Sequence, residues 1–192
     1  MGFLDHFRNA KSWYNQGVKL AQQGRYEEAL ECFNRASDLD PSSEIAWNSK
    51  GLILEKMERY PEAVDAFNKA IEFDPEFILA LVNKGITLGK LGNFKEAILC
   101  FDDALELYPK HIMALTNKGI ALSKIENYVD ALKCFDNVLE IDPENAEAWF
   151  NKGLVYKELG NFDEADHSFK KALEIKPGYE DAWNAKEELS KG

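Results

Sequence analysis

Residues 146–179 read AEAWFNKGLVYKELGNFDEADHSFKKALEIKPGY, and the pattern of this 34-residue stretch recurs four more times upstream. Trp149 is followed four residues later by Gly153, then after twelve more by Ala165, and then by Phe169 and Pro177. The same columns run through the chain as Gly17, Gly51, Gly85 and Gly119, as Ala29, Ala63, Ala97 and Ala131, and as Phe33, Phe67, Phe101 and Phe135. Pro41, Pro75, Pro109 and Pro143 close the earlier units, and Trp13, Trp47, Leu81 or Leu115 opens them. Self-similarity at this period marks supersecondary units that bury their apolar faces on one another and present a surface to partners.

Each unit reads as two helices. In the third, Leu81, Gly85 and Leu88 follow an i, i+4, i+7 pattern; after a break at Gly92-Asn93, Phe94, Ala97, Ile98, Phe101, Ala104 and Leu105 do the same. Proline ends the second helix, as in Asp40-Pro41, Asp74-Pro75, Tyr108-Pro109 and Asp142-Pro143, because it lacks an amide hydrogen and restrains the preceding residue. Pro61 starts a helix instead, at a first-turn position that tolerates it. Glycine on the first helix and alanine on the second let the two axes approach, with the phenylalanines filling the space beside the contact.

Composition sets limits on function. Apolar residues make up 45% of 192, yet no run approaches the roughly 20 apolar residues that cross a bilayer. Asp5, His6 and Arg8 interrupt Phe3, Leu4 and Phe7, so no secretory signal is expected, and His6 stands where a myristoylation signal at Gly2 needs Ser or Thr. A formal charge of −11 repels polyanions, which excludes nucleic acid as the expected ligand. Cys32, Cys100 and Cys134 share one register with Ala66 and Ser168, a small-residue packing slot that fits a reducing cytoplasm, although a reactive thiol is the sharper alternative. His6, His111 and His167 fall at unrelated places in the repeat, and the acidic residues recur as helix-start charges. No catalysis, metal or other cofactor is therefore expected.

The pattern of Trp149, Gly153, Tyr156, Gly160, Phe162, Ala165, Phe169, Ala172 and Pro177 resembles the tetratricopeptide repeat, matched over 10–43, 44–77, 78–111, 112–145 and 146–179. Departures are mild: Glu58 and Glu126 replace the turn glycine, Val138 an alanine, Leu81 and Leu115 the tryptophan, and Leu20, Leu54, Leu88 and Leu122 hold the place of Tyr156. The resemblance implies an all-α, right-handed superhelical solenoid of antiparallel helix pairs, with the first helix of each pair lining a concave groove. Residues 180–192 are expected to form a polar capping helix that carries Trp183, and residues 1–9 either an N-terminal cap or, through Phe3, Leu4 and Phe7, an anchor for a membrane surface or partner. Family members that hold a chaperone C-terminal carboxylate need lysine three residues before the first-helix glycine and asparagine one after it. Those places hold Tyr14 and Val18, Asn48 and Leu52, Val82 and Ile86, Thr116 and Ile120, or Phe150 and Leu154, so that clamp cannot be built.

A second stripe runs along the first helices outside the packing columns: Ile45, Ser49, Leu52 and Lys56; Leu79, Asn83, Ile86 and Lys90; Met113, Asn117, Ile120 and Lys124. Spacings of four, three and four put each set on one helix face, which by resemblance lines the groove. Asn15, Asn83, Asn117 and Asn151 read as a carboxamide ladder able to bond an extended peptide backbone, or alternatively as register-keeping contacts between helices. Leu52, Ile86, Ile120 and Leu154, with Val18, form an apolar row that a ligand or a second copy of the chain could cover. Lys50, Lys84, Lys118 and Lys152 with Lys56, Lys90 and Lys124 would make this interior locally positive, unless they pair with carboxylates such as Glu55 or Glu158. The expectation is a cytoplasmic module that captures a peptide or helix of a partner protein, with self-association as the alternative.

Overall fold

A computed structural model describes residues 9–190; the Phe3, Leu4 and Phe7 stripe, Gly2 and His6 lie outside them. The described residues are all-α, without a strand, in eleven helices: α1 (Ala10–Gln22), α2 (Tyr26–Leu39), α3 (Glu44–Lys56), α4 (Tyr60–Phe73), α5 (Ile78–Lys90), α6 (Phe94–Leu107), α7 (Ile112–Lys124), α8 (Tyr128–Ile141), α9 (Ala146–Glu158), α10 (Phe162–Ile175) and α11 (Glu180–Leu189). They form two compact units that divide between Asn93 and Phe94. In the first, α1 pairs with α2 and α3 with α4, α2 packs on α3, and α5 lies against α4 and α3. In the second, α6 packs on α7, α7 pairs with α8 and α9 with α10, α8 packs on α9, and α11 covers α10 and α9. No described helix is long and apolar enough to cross a membrane.

The recurring columns explain this packing. Phe33, Phe67, Phe135 and Phe169 are fully buried, as are Ala29, Ala63, Ala131 and Ala165. A Cβ placed on Gly51 or Gly153 would sit 2.5 Å from the ring of Phe67 or Phe169, so only glycine allows the first helix to close on its partner. Cys32, Cys100 and Cys134 are buried in the same layer, and burial pushes the Cys134 thiol up, away from the reactive thiolate. Val138, which takes an alanine position, is fully buried against Leu115 and Ala148.

Local chemistry ends each helix. Asn9, Ser43 and Asn145 accept from the amides of Ser12, Ala46 and Ala148 at 2.9, 3.3 and 2.9 Å, satisfying first-turn donors. His111 Nδ1 accepts from Ala114 in the same way at 3.2 Å. In the turn after each first helix, Gly24, Gly92 and Gly160 have φ of 75 to 80°, and Glu58 and Glu126 adopt the same left-handed state at 58° and 63°. The amides of Arg25, Arg59, Asn93, Asn127 and Asn161 bond back to the carbonyls of Leu20, Leu54, Leu88, Leu122 and Tyr156, so glycine and glutamate close the turn alike. Trp47, Trp149 and Trp183 each donate Nε1–H to the carbonyl of the proline six residues earlier, at 2.9, 3.1 and 2.9 Å. In α11, Ala182 and Ala185 are buried while Trp183 and the acidic residues Glu180, Asp181 and Glu187 remain exposed.

Candidate functional site

Within each unit the stripe residues of the first helices differ in exposure. Ile45, Leu79, Met113 and Leu52 are 47, 55, 53 and 37% exposed, a high fraction for large apolar side chains. Ile86 is half-buried, Ile120 packs on the cluster around Phe135, and Leu154 packs on the cluster around Phe169. Asn15 is exposed; Ser49, Asn117 and Asn151 are half-buried, and Lys56, Lys90 and Lys124 reach into solvent.

In the first unit, α3 and α5 are joined by polar side chains. Asn83 Nδ2 donates to Oδ1 of the buried Asn48 at 3.0 Å. The hydroxyl of the buried Thr87 lies 2.9 Å from the Asn83 carbonyl and 3.2 Å from Glu55 Oε2. Lys90 Nζ donates to Glu55 Oε1 at 2.6 Å and stands 5.8 Å from the Tyr60 ring centroid. The hydrogen bond to Glu55 pushes the Lys90 ammonium above its usual range. Asn83 thus ties adjacent first helices together, with its Oδ1 left over, whereas Asn117 Nδ2 donates to the Met113 carbonyl of its own helix at 2.9 Å.

In the second unit the corresponding space between α7, α8 and α9 is open. A recess of about 560 Å³ is lined by Ile120, Ser123, Lys124, Glu126, Tyr128, Phe135, Asn151, Leu154, Val155 and Glu158. Four of these, Ile120, Lys124, Asn151 and Leu154, are on the stripe read from sequence. Desolvation, and then the Glu126 and Glu158 carboxylates, push the Tyr128 phenol up, and all three side chains line the recess. Ser123 turns back on its own helix, donating to the Gly119 carbonyl at 2.9 Å.

The lysines ahead of the glycines do not produce a positive interior. Lys118 pairs with Asp102 of α6, and Lys152 pairs with Asp136 of α8 at 2.5 Å, each bridging to the second helix of the preceding pair. Lys50 and Lys152 lie over the rings of Trp47 and Trp149 at 4.9 and 5.4 Å, and desolvation pushes Lys50 down. His111 caps α7, and the His167 ring meets the edge of Trp149 at 6.1 Å, so both are used in packing. Among the described residues no group of three metal-ligating side chains is assembled.

Glu55, named from sequence as a lysine partner, does take Lys90, whereas Asn48, Tyr60 and Thr87, with Ser123, Tyr128 and Val155, escape a reading that follows one helix at a time. The available signal is a break in a column: Glu158 stands where Lys56, Lys90 and Lys124 stand in earlier units.

Helix pairs stacked at a fixed repeat, with a solvent-facing stripe on the first helices, define the class of helical-repeat scaffolds. Models of the tetratricopeptide repeat match residues 9–76, 78–111, 100–133 and 146–179, and a TPR repeat model matches 124–160. The solved structure of YrrB, a TPR protein described as having an unusual peptide-binding site, is 30% identical, covers 93% of this chain and 92% of its own, and superposes with a TM-score of 0.79. The chain belongs to the tetratricopeptide repeat family. A tetratricopeptide repeat protein of Parabacteroides merdae is 21% identical with a TM-score of 0.86, covering 94% of this chain and 72% of its own. MamA of Desulfovibrio magneticus RS-1 is 21% identical with a TM-score of 0.83, covering 88% and 96% respectively; at that identity these two likenesses speak for the fold alone. No curated protein matches the chain.

Proposed function

We propose that the chain is a non-catalytic, cytoplasmic interaction module whose five 34-residue units, 10–43 to 146–179, present their first helices to a peptide or helix of a partner protein. The observation that carries this reading is the exposure of Ile45, Leu52 and Leu79 beside Ser49 and Asn83 in the first unit, and of Met113 in register with Asn117 and Asn151 in the second. Apolar anchors fix a ligand by burial, and beside them Asn151 and the Oδ1 atoms of Asn83 and Asn117, whose Nδ2 donors are taken up within the chain, can accept from a peptide backbone. The likeness to YrrB, with its peptide-binding site, supports the same use.

The test is selection of peptides from a displayed random library on the full chain, with affinities measured by fluorescence anisotropy against wild type and Leu79→Ser/Met113→Ser. Both substituted side chains are more than half exposed, so the variant should keep its helical circular dichroism. Loss of about tenfold or more in affinity is expected, the equivalent of one or two buried apolar side chains. A library that yields no binder overturns the reading. A wild type that is a stable dimer by light scattering and a variant that is a monomer would assign the stripe to self-association instead.

A further inference from the structure

The α3–α5 and α7–α9 seams occupy the same register, two repeats apart, and differ at four positions that link the first, one of them Asn48, which returns as Thr116. Lys56, Glu58, Tyr60 and Phe67 return as Lys124, Glu126, Tyr128 and Phe135, but Glu55, Thr87 and Lys90 return as Ser123, Val155 and Glu158. In the first seam the chain supplies its own cation: the Lys90 ammonium rests 2.6 Å from Glu55 beside the Tyr60 ring. In the second seam that lysine is a carboxylate, its acceptor is a serine folded back on α7, and the space is an open recess.

We propose that the α7–α9 recess receives a lysine or arginine side chain from a bound peptide, in the place that Lys90 fills within the first unit. This rests on the reading of the first-helix face as a peptide site and adds the chemistry of one ligand position. Ile120 and Leu154, half-buried at the recess over the buried Val155 and Phe135, offer apolar surface that suits the methylenes of a long cationic side chain. Tyr128 offers a ring to the cation, and Glu126 and Glu158 bring two negative charges against the single positive charge of Lys124. A neutral alkyl side chain would satisfy the walls but strip water from the carboxylates without replacing it, and an acidic one would be repelled.

The test uses peptides selected on the full chain as above, resynthesised with each lysine or arginine replaced by norleucine. A cationic residue at one fixed position is expected, with norleucine there weakening binding about tenfold, the scale of a partly desolvated cation–π and ion-pair contact. Glu158→Gln should lose the same factor for the cationic peptide and little for the norleucine peptide. Ser123→Glu/Val155→Thr/Glu158→Lys, which rebuilds the Glu55, Thr87 and Lys90 link of the first seam inside the second, should abolish the preference while retaining the wild-type circular dichroism. Amide chemical shifts should locate the cationic residue at Tyr128, Leu154 and Val155. Equal affinity for cationic and norleucine peptides, or shifts elsewhere with an unchanged preference in Glu158→Gln, overturns the inference and leaves the peptide-binding reading standing. A library without binders overturns that reading, and this one with it.

Discussion

One seam of this chain is bridged by its own charged side chains and the other is lined by an open recess, although the scaffold beneath them repeats. Between α3 and α5, Glu55 links Thr87 and Lys90; between α7 and α9, Ser123, Val155 and Glu158 make no such link, and a recess of about 560 Å³ results. Gly51 and Gly119 sit equally tight on Phe67 and Phe135, with a Cβ at either glycine 2.5 or 2.7 Å from the ring. The core columns fix the spacing of helices, and a few surface columns decide whether the gap between first helices is filled from within or available to a ligand. Individuality in such an array is read across neighbouring first helices rather than along one of them.

The comparison is most severely tested in the core. Phe67→Ala and Phe135→Ala should each cost about 3–5 kcal/mol in urea unfolding, because each removes a fully buried ring on the glycine contact. Phe135 also lines the open recess, so its neighbours have room to relax and its cost should fall at the lower end. A larger loss for Phe135→Ala would show that the recess is no looser than the closed seam.

Next in size is the polar link itself. Glu55→Ala removes the acceptor of the part-exposed Lys90 while Thr87 keeps the Asn83 carbonyl, and should cost about 1 kcal/mol, whereas Ser123→Ala, at the equivalent place, should fall within about 0.5 kcal/mol of wild type. The pH dependence separates this link from mere packing. Lys90 is held above its reference value of 10.5 by the hydrogen bond to Glu55, so its contribution is complete below that value and disappears as pH rises through the raised one. Wild type should therefore lose stability across that alkaline window relative to Glu55→Ala, and parallel curves would deny the link any role.

The fold was legible because its causes are local and repeated: one glycine, one phenylalanine and one proline per unit specify two helices, their contact and their end. The outer face was legible for a similar reason, since a stripe needs only helical periodicity, and Ile45, Leu79 and Met113 are exposed where that stripe puts them. The recess was hidden because its walls come from α7, α8 and α9 together, and because what distinguishes it is what is missing. Asn48 illustrates the difficulty: considered by itself it is only a residue that fails to be a lysine, but beside α5 it is the acceptor for Asn83. Lys118 and Lys152 likewise read as groove charges or as paired lysines until Asp102 and Asp136, sixteen residues earlier, are brought opposite them.

A comparable effect is expected where the two units agree. Glu58 and Glu126 both hold left-handed backbone in the turn before a second helix, a conformation that costs a side-chain-bearing residue about 1–2 kcal/mol and glycine little. Glu58→Gly should raise stability by about 1 kcal/mol once the greater freedom of glycine in the unfolded chain is allowed for. Glu126→Gly should gain as much, and since it also removes one carboxylate from the recess, it should weaken a cationic peptide while stabilising the protein. That opposition of sign distinguishes a ligand-facing residue from a merely strained one.

The smallest effect concerns the other side of the first helices, where the second unit is the better connected. Lys118 reaches Asp102 and Lys152 reaches Asp136; by the same sixteen-residue offset Lys50 falls opposite Asn34, whose Oδ1 is buried without a hydrogen-bond partner among the described residues. Lys50 rests on the Trp47 ring instead, and desolvation keeps its ammonium below the usual lysine range. Its depressed value means that stability rises as pH climbs from the folded to the unfolded value, so below that window the charged lysine is a cost. Asn34→Asp would give it the partner found in the second unit, with a gain of at most about 1 kcal/mol because the new carboxylate must itself be desolvated. The alkaline rise in stability should flatten in this variant, and the gain should shrink in high salt. If Asn34→Asp destabilises the chain, the buried Oδ1 lies out of reach of Lys50, and the offset that pairs α6 with α7 and α8 with α9 does not carry over to α2 and α3.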